Sequence, residues 1–205
     1  GSAASRMQPS QLPLELLRGA RVLHLSGISF AISPTAADTC YAAIEAARAA
    51  GIMVSFDTNL RLRLWSKDRA RGVMTDVIGL ADICLPSYDD IVVITGLTDP
   101  NALVDFCLGR GARIVALKLG ADGAIVADKD QRIRLAPHPC DPVDATGAGD
   151  AFGGAFVARL LAADDLATAG RYATVAAALS TEGYGAVEPI PTAAEVRRAL
   201  EGEQQ

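Results

Sequence analysis

The sequence predicts an α/β protein in which helices cover both faces of a mainly parallel sheet. Short apolar runs typical of buried strands alternate with stretches typical of helices, and this alternation indicates parallel strands joined by helical crossovers. Half of the 205 residues are apolar, which is enough to bury such a sheet. No linker, repeat or low-complexity segment interrupts the chain, so residues 1–205 are expected to form a single domain.

The individual elements follow from local patterns. Apolar and β-branched runs predict strands at residues 21–29, 52–56, 83–85, 113–118, 124–127 and 132–135. The last two alternate in polarity, which indicates an antiparallel pair at a sheet edge. Helical patterns cover residues 34–50, 67–80, 88–95, 100–109, 147–162, 165–180 and 192–201. In open sheets of this kind, ligands bind beyond the carboxyl ends of the strands, so functional residues are expected in the loops there.

The composition favours a small-molecule ligand over nucleic acid or a membrane. The formal net charge is −5 with both signs interspersed, which provides no basic patch for phosphate backbones or anionic lipids. No apolar stretch reaches the roughly 18 residues of a membrane helix, and the start of the chain lacks the apolar region of a signal peptide. A cytoplasmic location is therefore expected. The four cysteines lie far apart, which predicts buried thiols rather than a zinc site or disulfides.

The segment that carries the chemistry runs from Asp144 to Asp150 and reads Asp-Ala-Thr-Gly-Ala-Gly-Asp. It leads from a proline-punctuated loop into a helix that begins near Gly147. Residues without bulky side chains let backbone N–H groups converge on an anion, and the positive end of the helix dipole adds to the attraction. Gly147, Ala148 and Gly149 are therefore predicted to form an anion hole for phosphate. Asp150 is placed to accept the proton of an attacking hydroxyl.

The same segment has competing explanations. In a purely structural one, Thr146 caps a helix whose small residues pack against the sheet, but each glycine inside a helix costs about 0.5–1 kcal/mol relative to alanine. A P-loop requires GxxxxGK[ST], and the chain contains no such string. Gly147, Gly149 and Gly153 approach the dinucleotide fingerprint GxGxxG with one residue too many, so an NAD-binding oxidoreductase is kept as an alternative.

The string from Asp144 to Asp150 resembles the second signature of the ribokinase-type, or PfkB, carbohydrate kinases. The resemblance implies a ribokinase-like three-layer α/β/α fold, ATP and Mg²⁺ as cofactors, and a sugar or sugar acid as substrate. It makes Asp150 the catalytic base that contacts the substrate hydroxyl, and it makes residues 147–149 the anion hole. It also assigns Thr146 to ATP binding. Asp144 is assigned to the polar surroundings of the metal ion, which it contacts through water.

Residues 56–65 extend the resemblance, because they read Phe-Asp-Thr-Asn-Leu-Arg-Leu-Arg-Leu-Trp and are similar to an Asp-x-Asn-x-Arg string of the family. The resemblance assigns Asn59 and Arg61 to ATP binding. Arg61 also suits an acidic sugar, because a guanidinium holds paired oxygens by two parallel hydrogen bonds. Alternatively, Arg61 belongs to a surface cluster of basic residues, and Trp65 is expected to pack rather than to bind sugar.

Two further segments occupy positions that the family uses. Lys118-Leu-Gly-Ala-Asp-Gly123 is similar to the nucleotide-contacting turn and assigns Lys118, Gly120, Asp122 and Gly123 to ATP, although a simple β-turn explains the glycines equally well.

Ser87-x-x-Asp90 stands in the place of the family's Asn-x-x-Glu motif, which organises magnesium through ordered water. Both replacements keep an oxygen suited to a hard cation, so Ser87 and Asp90 are assigned to the metal. A helix N-cap formed by Ser87 is the alternative.

The substrate expected from the resemblance is 2-keto-3-deoxygluconate, phosphorylated to its 6-phosphate, with fructose, another hexose or ribose as alternatives. Ala186 weakens the first choice, because some of these kinases place a substrate-contacting aspartate there. The resemblance also implies that the N-terminal strands and lid of the family are missing, so weak or no turnover and association between copies are expected. A nucleotide-binding fragment without turnover is therefore a further alternative.

Overall fold

The computed structural model describes residues 2–202, and the chain divides into two compact units. The first unit ends at Leu117 and the second begins at Lys118. The prediction that residues 1–205 form a single domain stays a prediction.

The first unit alternates strands and helices. Its strands are β1 Val22–Ser26, β2 Met53–Asp57, β3 Ile83–Leu85 and β4 Ile114–Lys118, the last residue of which belongs to the second unit. Its helices are α1 Leu14–Arg18, α2 Gly27–Ala31, α3 Pro34–Ala49, α4 Lys67–Leu80, α5 Tyr88–Thr95 and α6 Pro100–Arg110. Single turns of 3₁₀ helix cover Ala4–Arg6 and Pro9–Gln11.

The four strands of the first unit are parallel and lie in the order β1-β2-β3-β4. Ser26 at the end of β1 lies opposite Asp57 at the end of β2, which in turn lies opposite Leu85 at the end of β3. The central strands are rich in apolar residues buried on both faces, such as Val54 and Phe56, as expected for a parallel sheet between helices. The parallel arrangement therefore brings the loops after β1, β2 and β3 together at the carboxyl ends of the strands.

Local sequence explains where the helices of this unit begin. Ser33 caps α3 by accepting the N–H of Ala36 at 3.0 Å, and Pro34 provides the fixed φ of the first helical turn. Asp99 caps α6 in the same way, accepting the N–H of Ala102 at 3.1 Å ahead of Pro100. Both helices begin at the predicted residues, Pro34 and Pro100.

The second unit contains a hairpin and three helices. The elements are β5 Ala124–Ala127, β6 Arg132–Leu135, α7 Ala148–Leu161, α8 Leu166–Leu179 and α9 Ala193–Gly202, with a 3₁₀ turn at Gly120–Asp122. β5 and β6 are antiparallel, as predicted, with Ala124 opposite Leu135. Helix α8 packs closely on this hairpin, because a β carbon on Gly170 would lie 2.5 Å from Cδ1 of Leu135.

The predicted strand at residues 21–29 is too long. The strand ends at Ser26, and α2 begins at Gly27. A β carbon at Gly27 would lie 1.9 Å from the carbonyl oxygen of Thr58, so the chain turns where only glycine fits against the neighbouring loop. The short helices α1 and α2 and the 3₁₀ turns were not predicted, and the other helices and strands agree with prediction to within one residue at each end.

Within residues 2–202, no single helix is long and apolar enough to cross a membrane. Helices α5 and α6 together reach that length and composition, but they are bent by 70° at the break between them. Cys40, Cys84 and Cys107 are buried as predicted, whereas Cys140 is half-buried.

Candidate active site

The first unit contains one candidate functional loop, the loop after β2. Asp57 is only 3% exposed, and its Oδ1 accepts the N–H of Asn59 at 3.1 Å. Thr58 is completely buried, and Asn59 has a φ of 34°, in the left-handed region that most residues avoid. The Asp-x-Asn pattern therefore forms a tight, strained turn at the carboxyl end of a central strand.

Asp90 of helix α5 holds this turn from the other side. Its Oδ2 accepts the hydroxyl of Thr58 at 3.2 Å and the N–H of Leu60 at 3.0 Å. Ser87 stands at the N-cap position of α5, but its side chain makes no capping hydrogen bond, so the alternative N-cap role of this side chain is wrong. The N–H of Ser87 donates instead to the hydroxyl of Thr58 at 3.4 Å.

Arg61 and Trp65 follow the turn. Arg61 is exposed, and its Nη1 donates to the carbonyl oxygen of Leu60 at 2.8 Å. A guanidinium carries five N–H donors, so one such bond leaves it able to hold an anion. Trp65 is buried, as predicted for a packing residue.

The second unit contains its own candidate functional region, the start of α7. Gly147 precedes the helix with a φ of 83°, a conformation suited to glycine. The N–H of Ala148 donates to the carbonyl of Ala145 at 3.2 Å, so the amide at this predicted position is already engaged. Gly149 and Asp150 lie in the first helical turn, are exposed, and belong to the positions whose N–H groups the helix itself does not use.

Lys118 lies beside this turn. A β carbon on Gly149 would be 3.5 Å from the Nζ of Lys118. The ammonium group and the start of α7 therefore combine a full positive charge with the positive end of a helix dipole. This arrangement suits the phosphates of a nucleotide.

Backbone conformation explains why glycines occupy the turn after Lys118. Gly120 and Gly123 have φ values of 61° and 84°. A β carbon on Gly123 would lie 2.1 Å from the carbonyl oxygen of Leu135 in the hairpin, and the Leu119 N–H donates to the Gly123 carbonyl at 2.9 Å. Asp122 is exposed at the end of the turn. Chain geometry alone accounts for Gly123, and an ATP contact by Gly120, Asp122 and Gly123 stays a prediction.

Asp144 has three hydrogen-bond donors around its carboxylate. Oδ1 accepts the hydroxyl of Thr146 at 2.6 Å and its N–H at 2.9 Å, while Oδ2 accepts the N–H of Gly185 at 2.9 Å. The hydroxyl of Thr146 makes the largest contribution, followed by the Gly185 N–H, and together they hold the pKa of Asp144 below its ordinary value. The hydroxyl of Thr146 thus points to Asp144, and the predicted contact of Thr146 with ATP stays a prediction.

Ala186 follows Gly185 and packs on the anion-hole loop, which runs from Asp144 to Gly149. A β carbon on Gly147 would lie 2.9 Å from the Cβ of Ala186 and 3.0 Å from its Cα. The segment from Gly183 to Glu188 is thereby held against the start of α7, and within it Tyr184 and Val187 are 81% and 78% exposed.

The polar groups of these loops suit a phosphate better than a metal ion held by protein ligands alone. Within residues 2–202, no group of three or more His, Cys, Asp or Glu side chains could together hold a metal ion. Both oxygens of Asp144 and one oxygen of Asp90 already accept protein hydrogen bonds. Mg²⁺ typically binds through one or two carboxylates, waters and substrate phosphates, so a magnesium ion that arrives with its nucleotide would need few protein ligands, and the predicted metal contacts of Ser87, Asp90 and Asp144 stay predictions.

The sequence pattern did not identify every residue of these two loops. Asp57 carried a local signal, because an aspartate two residues before an amide donor often closes such a turn. Thr58, Gly27 and Gly185 carried none, since Thr58 pairs with Asp90, Gly27 contacts Thr58 and Gly185 pairs with Asp144, all 31 or more residues away along the chain.

Comparison with known proteins gives the molecule its family. The chain matches the model of the pfkB family carbohydrate kinases over residues 1–193. It is 33% identical over 194 residues to the 2-dehydro-3-deoxygluconokinase of Bacillus subtilis (strain 168), with 93% of this chain and 60% of that protein covered. It is 31% identical over 214 residues to the probable fructokinase-4 of Arabidopsis thaliana, with 98% of this chain and 64% of that protein covered.

A solved structure agrees with these relatives. The fructokinase from Vibrio cholerae O395 in its fructose, ADP and calcium ion bound form superposes with a TM-score of 0.88 at 29% identity, covering 97% of this chain and 66% of that one. This similarity confirms the predicted α/β, ribokinase-like fold class. The chain spans 60% to 64% of the length of the two curated relatives. Because the family model covers all but the last twelve residues, this chain belongs to the pfkB family of carbohydrate kinases.

Proposed function

We propose that this chain supplies the ATP-binding and phosphoryl-transfer part of an ATP-dependent kinase that phosphorylates a hydroxyl of a sugar or sugar acid. The observation that carries the proposal is the start of α7, where Gly147, Gly149 and Asp150 lie in one turn and the Nζ of Lys118 lies 3.5 Å from a β carbon placed on Gly149. Phosphoryl transfer needs mainly positioning and neutralisation of charge, and this turn offers both.

In the proposed reaction, Asp150 accepts the proton of the sugar hydroxyl as its oxygen attacks the γ-phosphorus of ATP. The bond from the γ-phosphorus to the bridging oxygen breaks, and ADP leaves with that oxygen. The amides at the start of α7 and the ammonium of Lys118 stabilise the charge on the transferred group. Magnesium bound to the nucleotide supplies further neutralisation of the phosphate oxygens.

For the substrate, we favour 2-keto-3-deoxygluconate, phosphorylated to its 6-phosphate. Arg61 is exposed beside the strained turn at Asn59 and offers a guanidinium suited to a carboxylate or to phosphate oxygens. The Bacillus subtilis relative bears the name of a kinase for this sugar acid, whereas the Arabidopsis thaliana relative bears the name of a fructokinase. Fructose, other hexoses and ribose are therefore the comparison substrates.

Two measurements test the proposal. Calorimetry with ATP and Mg²⁺, and separately with NAD, asks which nucleotide the chain binds. A coupled assay of ADP release with 2-keto-3-deoxygluconate, fructose and ribose then asks whether a sugar is phosphorylated. The assay uses both the chain itself and a chimera in which the chain replaces the matching part of the Bacillus subtilis relative.

The outcomes separate the candidate functions. Binding of magnesium-ATP and sugar-dependent ADP release support the kinase. Binding of ATP without turnover in either protein favours a nucleotide-binding module, and binding of NAD without ATP contradicts the proposal. Faster turnover of fructose than of 2-keto-3-deoxygluconate would contradict only the substrate assignment.

A further inference from the structure

The turn at Asn59 is held by two carboxylates that come from different elements. Asp57, at the end of β2, accepts the N–H of Asn59, and Asp90, in α5, accepts the N–H of Leu60. These are the peptide groups on the two sides of the Asn59 α carbon. Fixing both of them holds Asn59 at its φ of 34°.

The surroundings leave this turn little room to move. The carbonyl of Thr58 lies where a β carbon of Gly27 would stand, so Gly27 and the turn are in direct contact. The buried hydroxyl of Thr58 donates to Oδ2 of Asp90 and accepts the N–H of Ser87 at the start of α5. Helix α5 therefore connects to the turn through Thr58 as well as through Leu60.

The backbone of Leu60 connects Asp90 to Arg61 through two hydrogen bonds. Its N–H donates to Oδ2 of Asp90, and its carbonyl accepts Nη1 of Arg61 at 2.8 Å. These two groups belong to adjacent rigid peptide planes that meet at the Leu60 α carbon, so only the φ and ψ rotations of Leu60 separate them. The Arg61 guanidinium is therefore connected to Asp90 through one backbone residue, Leu60.

We infer that Asp90 is a positioning residue, whose carboxylate sets the orientation of Asn59 and Arg61 by accepting hydrogen bonds rather than by binding metal. Its consequence for ligand affinity rests on the proposed function, in which these two residues contact the nucleotide and the sugar acid. The role requires an oxygen acceptor at this position, but it does not require a negative charge.

The experiment compares Asp90→Asn, which keeps an acceptor oxygen and removes the charge, with Asp90→Ala, which removes both. Asp89→Asn and Asp89→Ala are matched controls, because Asp89 is the preceding carboxylate of the same helical turn and is exposed. Amide hydrogen exchange of Leu60 is measured in the ligand-free chain. Magnesium-ATP affinity and its dependence on Mg²⁺ concentration are measured by calorimetry.

The Asp90→Ala variant should exchange the Leu60 amide about tenfold faster, because a partly buried hydrogen bond to a charged group is lost. It should also bind magnesium-ATP about tenfold more weakly, with an unchanged Mg²⁺ midpoint. Asp90→Asn should restore both properties to within about threefold of the wild type, and the Asp89 variants should match the wild type. Rescue by asparagine distinguishes an acceptor from a metal-binding charge.

Two results would overturn the inference. One is equal Leu60 exchange in the wild type and in Asp90→Ala, which would show that the carboxylate does not hold the turn. The other is a Mg²⁺ midpoint shifted about tenfold by Asp90→Asn, which would assign the charge to the metal. If the wild type binds no magnesium-ATP, the proposed function fails, while Leu60 exchange still decides whether Asp90 holds the turn.

Discussion

Asp144 and Gly185 lie 41 residues apart in the sequence and are joined by a hydrogen bond of 2.9 Å from the Gly185 N–H to Oδ2. The other oxygen of the same carboxylate accepts both the N–H and the hydroxyl of Thr146. One side chain therefore connects the anion-hole loop to the segment from Gly183 to Glu188. These hydrogen bonds hold the loop before α7, and their strength depends on the negative charge of Asp144.

Acid should release the segment around Gly185. The folded-state pKa of Asp144 is lowered, so its contribution to stability is complete above the unfolded pKa of about 3.9 and is lost as the pH falls through the folded pKa. The Gly185 amide resonance, followed by NMR from neutral pH downwards, should shift with an apparent pKa below 3.9. Asp144→Asn should remove this titration, and a shift that persists in the variant would assign it to another group.

Replacing Gly147 by alanine should disrupt the anion hole. The new β carbon would lie 2.9 Å from the Cβ of Ala186, at a φ of 83°, and the left-handed conformation alone costs about 1–2 kcal/mol. We expect lower stability in chemical denaturation and at least tenfold weaker magnesium-ATP binding by calorimetry.

Gly154 provides the matched control for this substitution. It lies two turns further along α7, is exposed, and a β carbon there meets nothing within 4 Å. Gly154→Ala should therefore stabilise the chain by about 0.5–1 kcal/mol and leave nucleotide affinity unchanged. Equal nucleotide affinities of the two alanine variants would contradict a special role for Gly147.

Replacing Gly27 by alanine should destabilise the turn after β2. The added β carbon would lie 1.9 Å from the carbonyl oxygen of Thr58 and 2.6 Å from Cε of Met74. Overpacking against backbone costs about 1–3 kcal/mol or more, and denaturant unfolding should report this loss. Gly72→Ala in α4, where nothing lies within 4 Å of the added carbon, should instead be neutral or stabilising.

Lys118→Met should weaken magnesium-ATP binding by about ten- to a hundredfold, since it removes a charged hydrogen-bond donor beside the anion hole. The effect should be larger at low salt than at high salt, because the lost interaction is electrostatic. Lys129→Met is the control, as the Lys129 side chain is 85% exposed in the turn between β5 and β6. Similar affinities for the two methionine variants would exclude Lys118 from the phosphate site.

Local sequence was sufficient to predict most elements of the fold. The helical patterns that begin at Pro34 and Pro100 predicted the starts of α3 and α6, and the glycines at 147 and 149 predicted the turn that opens α7. The end of β1 was predicted too late, because the apolar pattern continues through Gly27 and the contact that ends the strand comes from Thr58.

The partners of the carboxylates could not be predicted in the same way. The sequence shows that Asp90 and Asp144 follow strands, where metal-binding or phosphate-binding groups are common. Each carboxylate, however, accepts a hydrogen bond from a distant backbone N–H group, 30 residues away for Asp90 and 41 for Asp144, and such a group carries no side-chain signal. Only the folded arrangement distinguishes a carboxylate that supports a loop from one that faces a ligand.

The role of Asp150 tests the central claim most directly. The measurement is sugar-dependent ADP release by the chimera with the Bacillus subtilis relative, comparing wild type with Asp150→Asn, and with Asp141→Asn as an exposed control that precedes the anion-hole loop. The claim predicts that Asp150→Asn lowers turnover by about 10²–10⁴-fold while magnesium-ATP affinity stays within about threefold, and that Asp141→Asn has little effect. Near-normal turnover of Asp150→Asn would contradict it.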